Sequence, residues 1–459
     1  MLTVVQAFDR QPFAELPTDD AVALERKLGV AFRLSRDRSA WLKPHQRIDI
    51  LHRLATLMES KREHFARQIS REGGKPYTDA MVETSRAIDG VRSAAEILRT
   101  RGGREIPMGV SPSSENRRAW TVYEPIGVVA AVSAFNHPLN LAVHQLAPAI
   151  ATGCPVIIKP AAATPLNCVE LVDMVQAAGM PEGWVQTFLP ESRELAEAFV
   201  ADSRVAFLSF IGSASVGWHL RSKLAPGARC ALEHGGVAPV IIDKSADLDR
   251  LIEPMAKGGY YHAGQVCVSV QRIYVHESLR QEFSDRFARR VQALHTGDPL
   301  LPETEVGPLI TPKEADRVQA WIDEAVATGA RPIGGGRLSD TTLYPTILLD
   351  PPKTAKVSTL EVFGPLTCVY SFSSLDDAIR SANSLPEAFQ SSIFTRDLDS
   401  AFRAADRLDA SAVMVNDHTA FRVDWMPFAG RHVSGHGVGG IPFTMEEMTA
   451  EKMIVFRSG

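Results

Sequence analysis

Residues 127–160 read GVVAAVSAFNHPLNLAVHQLAPAIATGCPVIIKP. Gly127–Val132 and Pro155–Ile158 are short, unbroken apolar runs, and Asn140–Ala151 between them is long enough for a helix. Two strands apolar on both faces and joined through a helix form the parallel βαβ unit. Working outward, the rhythm repeats. Pro165–Ala178 is a predicted helix, Trp184–Phe188 a strand, Glu194–Ala201 a helix, Val205–Phe210 a strand and Ser215–Leu224 a helix. This predicts a doubly wound, nucleotide-binding α/β domain. Upstream, residues 20–100 carry apolar positions at helical spacing, most clearly in Ile48–Met58, and Gly102-Gly103 closes that region.

Beyond Glu233-His234-Gly235-Gly236 the alternation restarts, which predicts a second α/β domain with its boundary near residue 233. Its expected elements are strands Pro239–Ile242 and Arg272–Val275, helices Leu248–Tyr261 and Leu279–Ala293, and later strands Thr367–Phe372, Ser392–Phe394 and Ala412–Val415. The 459 residues suit two or three units, with Gly334-Gly335-Gly336 and Pro351-Pro352 short enough to be turns. A net charge of -5 with scattered Lys and Arg gives no footprint for nucleic acid or an acidic membrane. The first residues lack a basic region and an apolar core, and no run is long enough to span a bilayer, so a cytoplasmic location is expected. The five cysteines form no C-x-x-C pair, so neither a disulfide framework nor a metal site is indicated.

Three residues stand where chemistry is expected. Cys267 follows a predicted helix in Tyr261-His262-Ala263-Gly264-Gln265-Val266-Cys267, where backbone N–H groups would stabilise a thiolate; a small buried hydrophobe fits as well. Glu233 ends a strand before two glycines, which suits a general base or an ordinary turn carboxylate. Asn136 follows the strand Gly127–Val132 at its C-terminal end, where ligands bind in open α/β sheets; its amide suits an oxyanion donor or a turn former.

Together with Lys159 and Glu361, these residues are where the sequence resembles the aldehyde dehydrogenase superfamily along its whole length. The motifs stand in the family's order: F-N-H-P at 135–138, I-K-P-A at 158–161, F-I-G-S-A-S-V-G at 210–217, L-E-H-G-G at 232–236, G-Q-V-C at 264–267, E-V-F-G-P at 361–365 and P-F-A-G-R-H-V-S-G at 427–435. The resemblance implies a cofactor-binding domain over 1–115 and 127–233, a catalytic domain over 234–427, and a β oligomerisation arm over 116–126 and 445–459. It also implies roles. Cys267 attacks the aldehyde and passes through a thiohemiacetal to a thioester, Asn136 and the Cys267 N–H hold the oxyanion, and Glu233 activates water. Lys159, Ala162, Phe135, Gly212, Ser213, Gly235, Glu361 and Phe363 belong to the site for NAD or NADP. No metal is implied.

Some positions depart from the family's pattern. Ala162 stands where NAD-selective members often carry a ribose-gripping Glu, so NADP is expected to be accepted at least as readily as NAD. His234 replaces a usual Leu, either filling space or tuning Glu233. The start is shorter than the family's, which is expected to trim a surface hairpin. The segments around Asn136, F-R-V-D-W-M-P-F at 421–428 and G-G-I-P-F-T-M at 439–445 resemble the branch acting on small polar or anionic aldehydes such as phosphonoacetaldehyde, lactaldehyde and glyceraldehyde 3-phosphate. On that likeness Arg86 and His137 would contact an anionic head group, with Arg422 and His144 as weaker candidates. Val266 replaces an Arg that such relatives carry before the nucleophile. A helix-surface ion pair for Arg86 and a structural hydrogen bond for His137 stay open beside the clamp.

Competing readings are release of the acyl group to coenzyme A, a cysteine hydrolase, and a non-catalytic binding protein on the same fold. Glu233 favours water as acceptor, and the joint presence of all five motif residues favours catalysis. The resemblance implies a homo-oligomer, a dimer or tetramer, formed through the strand near Arg117–Pro125 and a C-terminal strand around Lys452–Phe456.

Overall fold

The computed structural model describes residues 1–458; Gly459, the last residue of the expected arm, lies outside the described residues. Four helices, Ala21–Arg36, Pro44–Ser60, Arg62–Gly73 and Tyr77–Thr100, open the main body. The first large sheet runs Gly435–His436, Arg229–Glu233, Val205–Ile211, Val128–Val132, Val156–Lys159, Val185–Thr187, parallel except for its first, edge strand. Every residue of Val128–Val132 is buried, as is every residue of the following helix Pro138–Thr152. A helix with no solvent-facing side must be enclosed, and here it lies between the sheet and Tyr77–Thr100.

Strand order reverses beside Val128–Val132: the chain moves through Val156–Lys159 to Val185–Thr187, then returns to Val205–Ile211 on the other side. Loops leaving the two adjacent strands diverge at such a reversal and leave a crevice. The loops here are Ser133–His137 and Gly212-Ser213. The second sheet has seven strands, Arg331–Gly334, Thr346–Leu349, Leu366–Phe372, Arg272–His276, Pro239–Ile242, Gln390–Phe394, Ala412–Val415, all parallel except the first. A separate apolar cluster lies against it. The doubly wound α/β architecture expected from the sequence is the one observed.

A three-stranded antiparallel sheet stands apart, with Arg117–Pro125 between Glu105–Ile106 and Thr449–Arg457. The start of the chain corrects one expectation: a hairpin is present, Leu2–Val5 against Pro12–Leu16. It touches both halves, through Ala7 N–H to the Arg71 carbonyl, and through Arg10 Nη1 to the Ile310 carbonyl at 3.1 Å. The end of the chain returns to the first half, where Gly435–His436 joins the sheet and Ile441 and Met445 enter the apolar core. No helix among the described residues is long and apolar enough to cross a membrane.

Candidate active site

A cavity of about 550 Å³ lies between the two sheets, at the crevice formed by the strand reversal. The site residues expected from the sequence line it, with the exceptions of Ala162 and His144: Ala162 is exposed, and its neighbour Ala161 faces the cavity instead. A methyl group has no reach into the cavity, so whatever Ala162 contributes, it contributes by lacking a carboxylate. His144 lies behind the wall, fully buried.

The nucleophile loop is built by an unusual backbone. After the helix Leu248–Tyr260, His262, Ala263 and Gly264 take left-handed conformations at φ 49°, 53° and 70°. Such a conformation is costly for residues with a Cβ and persists only when its surroundings fix it. Gln265 does much of the fixing. Its Nε2 donates to the His262 and Pro308 carbonyls, its Oε1 accepts from the Ile310 N–H, and its own carbonyl accepts from Asn136 Nδ2 at 2.9 Å. Asn136 is thereby tied to the loop that presents Cys267, and an Asn amide has a second N–H to offer. Cys267 is half-buried, whereas Cys154, Cys168, Cys230 and Cys368 are buried.

Asn136 and His137 precede the helix Pro138–Thr152, whose first free N–H groups point at Glu83 Oε1, from Leu139 at 3.0 Å and Asn140 at 3.1 Å. The other Glu83 oxygen accepts from Lys75, and both side chains are fully buried. A buried carboxylate that is both ion-paired and bonded to a helix N-terminus makes a rigid anchor. Nothing in the sequence pattern marks this pair.

Burial raises the Cys267 thiol to about 12; Arg422 pulls the other way, and Glu361 and Glu233 add to the rise. The pre-formed thiolate expected from the sequence is therefore not what the pocket favours at rest. Burial also lifts the Glu233 carboxyl above its ordinary range, against the pull of Arg422. Its side chain lies so close to Gly439 that a Cβ there would stand 2.0 Å from Oε1, so a side chain at that position would displace the carboxylate.

Toward the opposite end stands Glu361, with Oε1 buried and unpartnered, and burial raises its carboxyl to about 8. A Cβ on Gly235 would come within 1.8 Å of it. An orphaned buried carboxylate calls for a hydroxyl donor, and a ribose supplies one. Among the described residues Lys159 bonds only the Pro160 carbonyl, at 3.3 Å, and has no carboxylate partner. Phe135 and Phe363 meet edge to face at 5.9 Å. Gly212 and Ser213 open the helix Ala214–Arg221 at the cavity wall. A nicotinamide dinucleotide fits this set. His234 sits between Phe210 and Trp218, and its Nδ1–H donates to the Gly212 carbonyl at 3.0 Å. It thus bonds the backbone of the helix-opening turn.

The third wall holds charge. Arg86 forks onto Asp424, Nε to Oδ2 at 3.0 Å and Nη2 to Oδ1 at 2.7 Å, so the cation expected to meet a head group is largely satisfied within the protein. His137 bonds the Tyr261 hydroxyl at 3.1 Å, and burial with the Lys75 and Arg86 charges drives its pKa well down, leaving a neutral ring. His137 thus makes a structural hydrogen bond, and Arg86 makes a buried ion pair to a distant carboxylate in place of the helix-surface pair considered from the sequence, while both side chains still face the cavity. Arg422 differs. Among the described residues it has no carboxylate hydrogen bond, its Nε is buried and unpartnered, and its guanidinium lies 3.5 Å over the Phe428 ring.

The profile described as "Aldehyde dehydrogenase family" matches residues 1–454. The 3-sulfolactaldehyde dehydrogenase of Priestia aryabhattai is 36% identical over 455 residues, 99% of this chain and 94% of that protein. Among solved structures, aldehyde dehydrogenase 21 of Physcomitrella patens, in complex with the reaction product succinate, superposes at TM-score 0.96 with 34% identity, covering 99% of this chain and 95% of that one. The glyceraldehyde-3-phosphate dehydrogenase of Methanocaldococcus jannaschii, complexed with NADP, superposes at 0.95 with 32% identity over 100% and 99%.

Proposed function

The chain belongs to the aldehyde dehydrogenase family, and on that premise we propose that it oxidises a short aldehyde with an anionic head group to the carboxylic acid, using NAD or NADP. The carrying observation is a single cavity that gathers Cys267, Asn136 and Glu233 with an Arg422 free of any carboxylate hydrogen bond.

When bound, the nicotinamide supplies the two-electron oxidant; Glu361 would hold its ribose, and Phe363 and Phe135 would flank it. The Cys267 sulfur attacks the aldehyde carbon, and its proton passes to solvent water as the C–S bond forms. The free N–H of Asn136 and the Cys267 backbone N–H stabilise the oxyanion, an arrangement that acts most strongly in a dry site. Oxidation leaves a thioester on Cys267. Glu233 then takes a proton from water, which attacks the thioester carbon and releases the acid. The raised pKa of Glu233 suits it to that proton transfer near neutral pH.

Lys159 without a carboxylate partner, and the methyl of Ala162, support acceptance of the 2′-phosphate of NADP. The exposed apolar side chains Trp120, Tyr123, Met453, Val455 and Phe456 on the three-stranded sheet support assembly as a homo-oligomer. The domain division expected from the sequence is proposed in the same terms: the first sheet for cofactor, the second for the nucleophile, the small sheet for the partner subunit.

The test is initial-rate kinetics of nicotinamide reduction with 3-sulfolactaldehyde, succinate semialdehyde, lactaldehyde, phosphonoacetaldehyde and propanal. Turnover of at least one anionic aldehyde, absent in Cys267→Ala while cofactor binding persists, is the expected result. Equal activity in the variant would overturn the covalent route.

A further inference from the structure

Asp424 lies behind the head-group wall and receives more bonds than any other carboxylate there. Besides the fork from Arg86, its Oδ1 accepts from Asn140 Nδ2 at 3.1 Å and His144 Nε2 at 2.7 Å. A carboxylate accepts only, so His144 donates through Nε2, and its Nδ1 is left as an acceptor facing Arg422 Nη2 at 3.4 Å. The order is therefore Arg86, Asp424, His144, Arg422. The second guanidinium is aimed by a neutral imidazole that is itself aimed by the carboxylate holding the first.

This arrangement fixes the charge of the wall. Two guanidinium groups face one carboxylate, and the neighbouring ionic groups cancel in pairs, Lys75 with Glu83 and Lys257 with Asp79. Burial and Arg422 push His144 down to about 4, and His137 lies lower than its ordinary value as well, so neither ring adds charge at neutral pH. Glu233 also faces Arg422 across the cavity, and ionisation of that carboxyl adds to the penalty on a second negative charge. While burial keeps Glu233 protonated a single positive charge remains, on Arg422, and desolvated charges are favoured only when matched. A head group bearing one negative charge balances it. A head group bearing two leaves one charge unmatched in a buried site.

Resting on the reading of the cavity as an aldehyde dehydrogenase site, we infer that the Asp424–His144 pair selects a monoanionic head group, a sulfonate or carboxylate, on a two- or three-carbon aldehyde, and disfavours the phosphate dianion. Asp424 and His144 are positioning residues: they set the charge and direction of Arg422 without touching the reacting atoms.

The test uses two three-carbon 2-hydroxyaldehydes that differ in the head group, 3-sulfolactaldehyde and glyceraldehyde 3-phosphate. At pH 8 the wild type is expected to favour the sulfonate in kcat/KM by at least about tenfold, the scale of one charge-assisted contact. The second proton of a phosphate monoester binds near pH 6, so the ratio should fall toward unity by about pH 5.5. Taking a ratio cancels the titration of Cys267; ionisation of Glu233 beside Arg422 moves the ratio in the same sense, because it opposes the dianion more than the monoanion. Asp424→Asn frees a second cation and should move the ratio about tenfold toward the phosphate at pH 8, with the ratio of sulfonate to propanal moving toward the sulfonate as well.

Equal or better use of the phosphate by wild type at pH 8, or a ratio unmoved by pH, overturns the inference and leaves the dehydrogenase reading standing. If Asp424→Asn does not fold, the wild-type pH series decides. If folded wild type oxidises none of the aldehydes, including propanal, the dehydrogenase reading fails. Calorimetric binding of 3-sulfolactate against 3-phosphoglycerate then still decides the charge preference, with tighter phosphoglycerate binding counting against it.

Discussion

Cys267, Asn136 and Glu233 could be read from the sequence because each sits where a strand or helix ends, and the chemistry dictates the residue type. Asp424 could not. Its partners Arg86, Asn140 and His144 lie hundreds of residues upstream, and no local pattern distinguishes a carboxylate that anchors arginine from one facing water. Two predictions belong to single side chains. Glu233→Gln should lower steady-state turnover by about 10²- to 10⁴-fold while a burst of reduced nicotinamide persists, seen by stopped flow, because acylation does not use the base. Burial raises the Glu233 carboxyl, so it ionises only as pH rises above the usual carboxylate range. Deacylation in wild type should therefore climb with pH above that range, and the variant should lose the dependence. Ala162→Glu places a carboxylate beside the adenosine ribose position and should weaken NADP relative to NAD by about tenfold, measured as the ratio of kcat/KM for the two cofactors.

Strands such as Val128–Val132 and Pro239–Ile242 were legible because they are buried on both faces and carry unbroken apolar runs. The opening hairpin was not: its strands are mostly half-exposed and show no clean alternation. The helix Pro312–Ala327 also falls outside the sequence expectations, although Thr311 caps it through the Glu314 N–H and Pro312 opens it, a start signal present in the chain. At this scale the helix Pro138–Thr152 depends on a distant carboxylate. Glu83→Gln would leave the Lys75 ammonium buried without its counter-ion. A loss of about 3–5 kcal/mol in unfolding free energy is expected, measured by denaturant titration. A variant as stable as wild type would show that the pair is dispensable.

Across the whole molecule, the reactive groups come from both halves. Asn136 and Glu233 leave the first sheet, and Cys267 precedes a strand of the second. The division into two α/β units could be read from the sequence, because alternation restarts after residue 236. The return of the chain to its first half could not, since two-residue strands such as Gly435–His436 carry no periodicity. Assembly makes the last prediction. Trp120 and Phe456 stack at 5.9 Å on adjoining strands, both exposed. Phe456→Glu should shift the protein toward monomer in size-exclusion chromatography with light scattering, and an unchanged mass would remove this sheet from the interface.

The closing segment has a consequence for how the protein is born. Ile441, Met445 and Met448 complete the apolar core around Leu146 and Ala147, and Arg101 holds the Met445 carbonyl and the Thr449 hydroxyl. A nascent chain that has emerged only through its second sheet still has an open seam in its first. The first half must wait, with apolar surface uncovered, until residues 441–448 have been made. During that interval a chaperone would find its substrate, and the emergence of this segment becomes the event that seals the core.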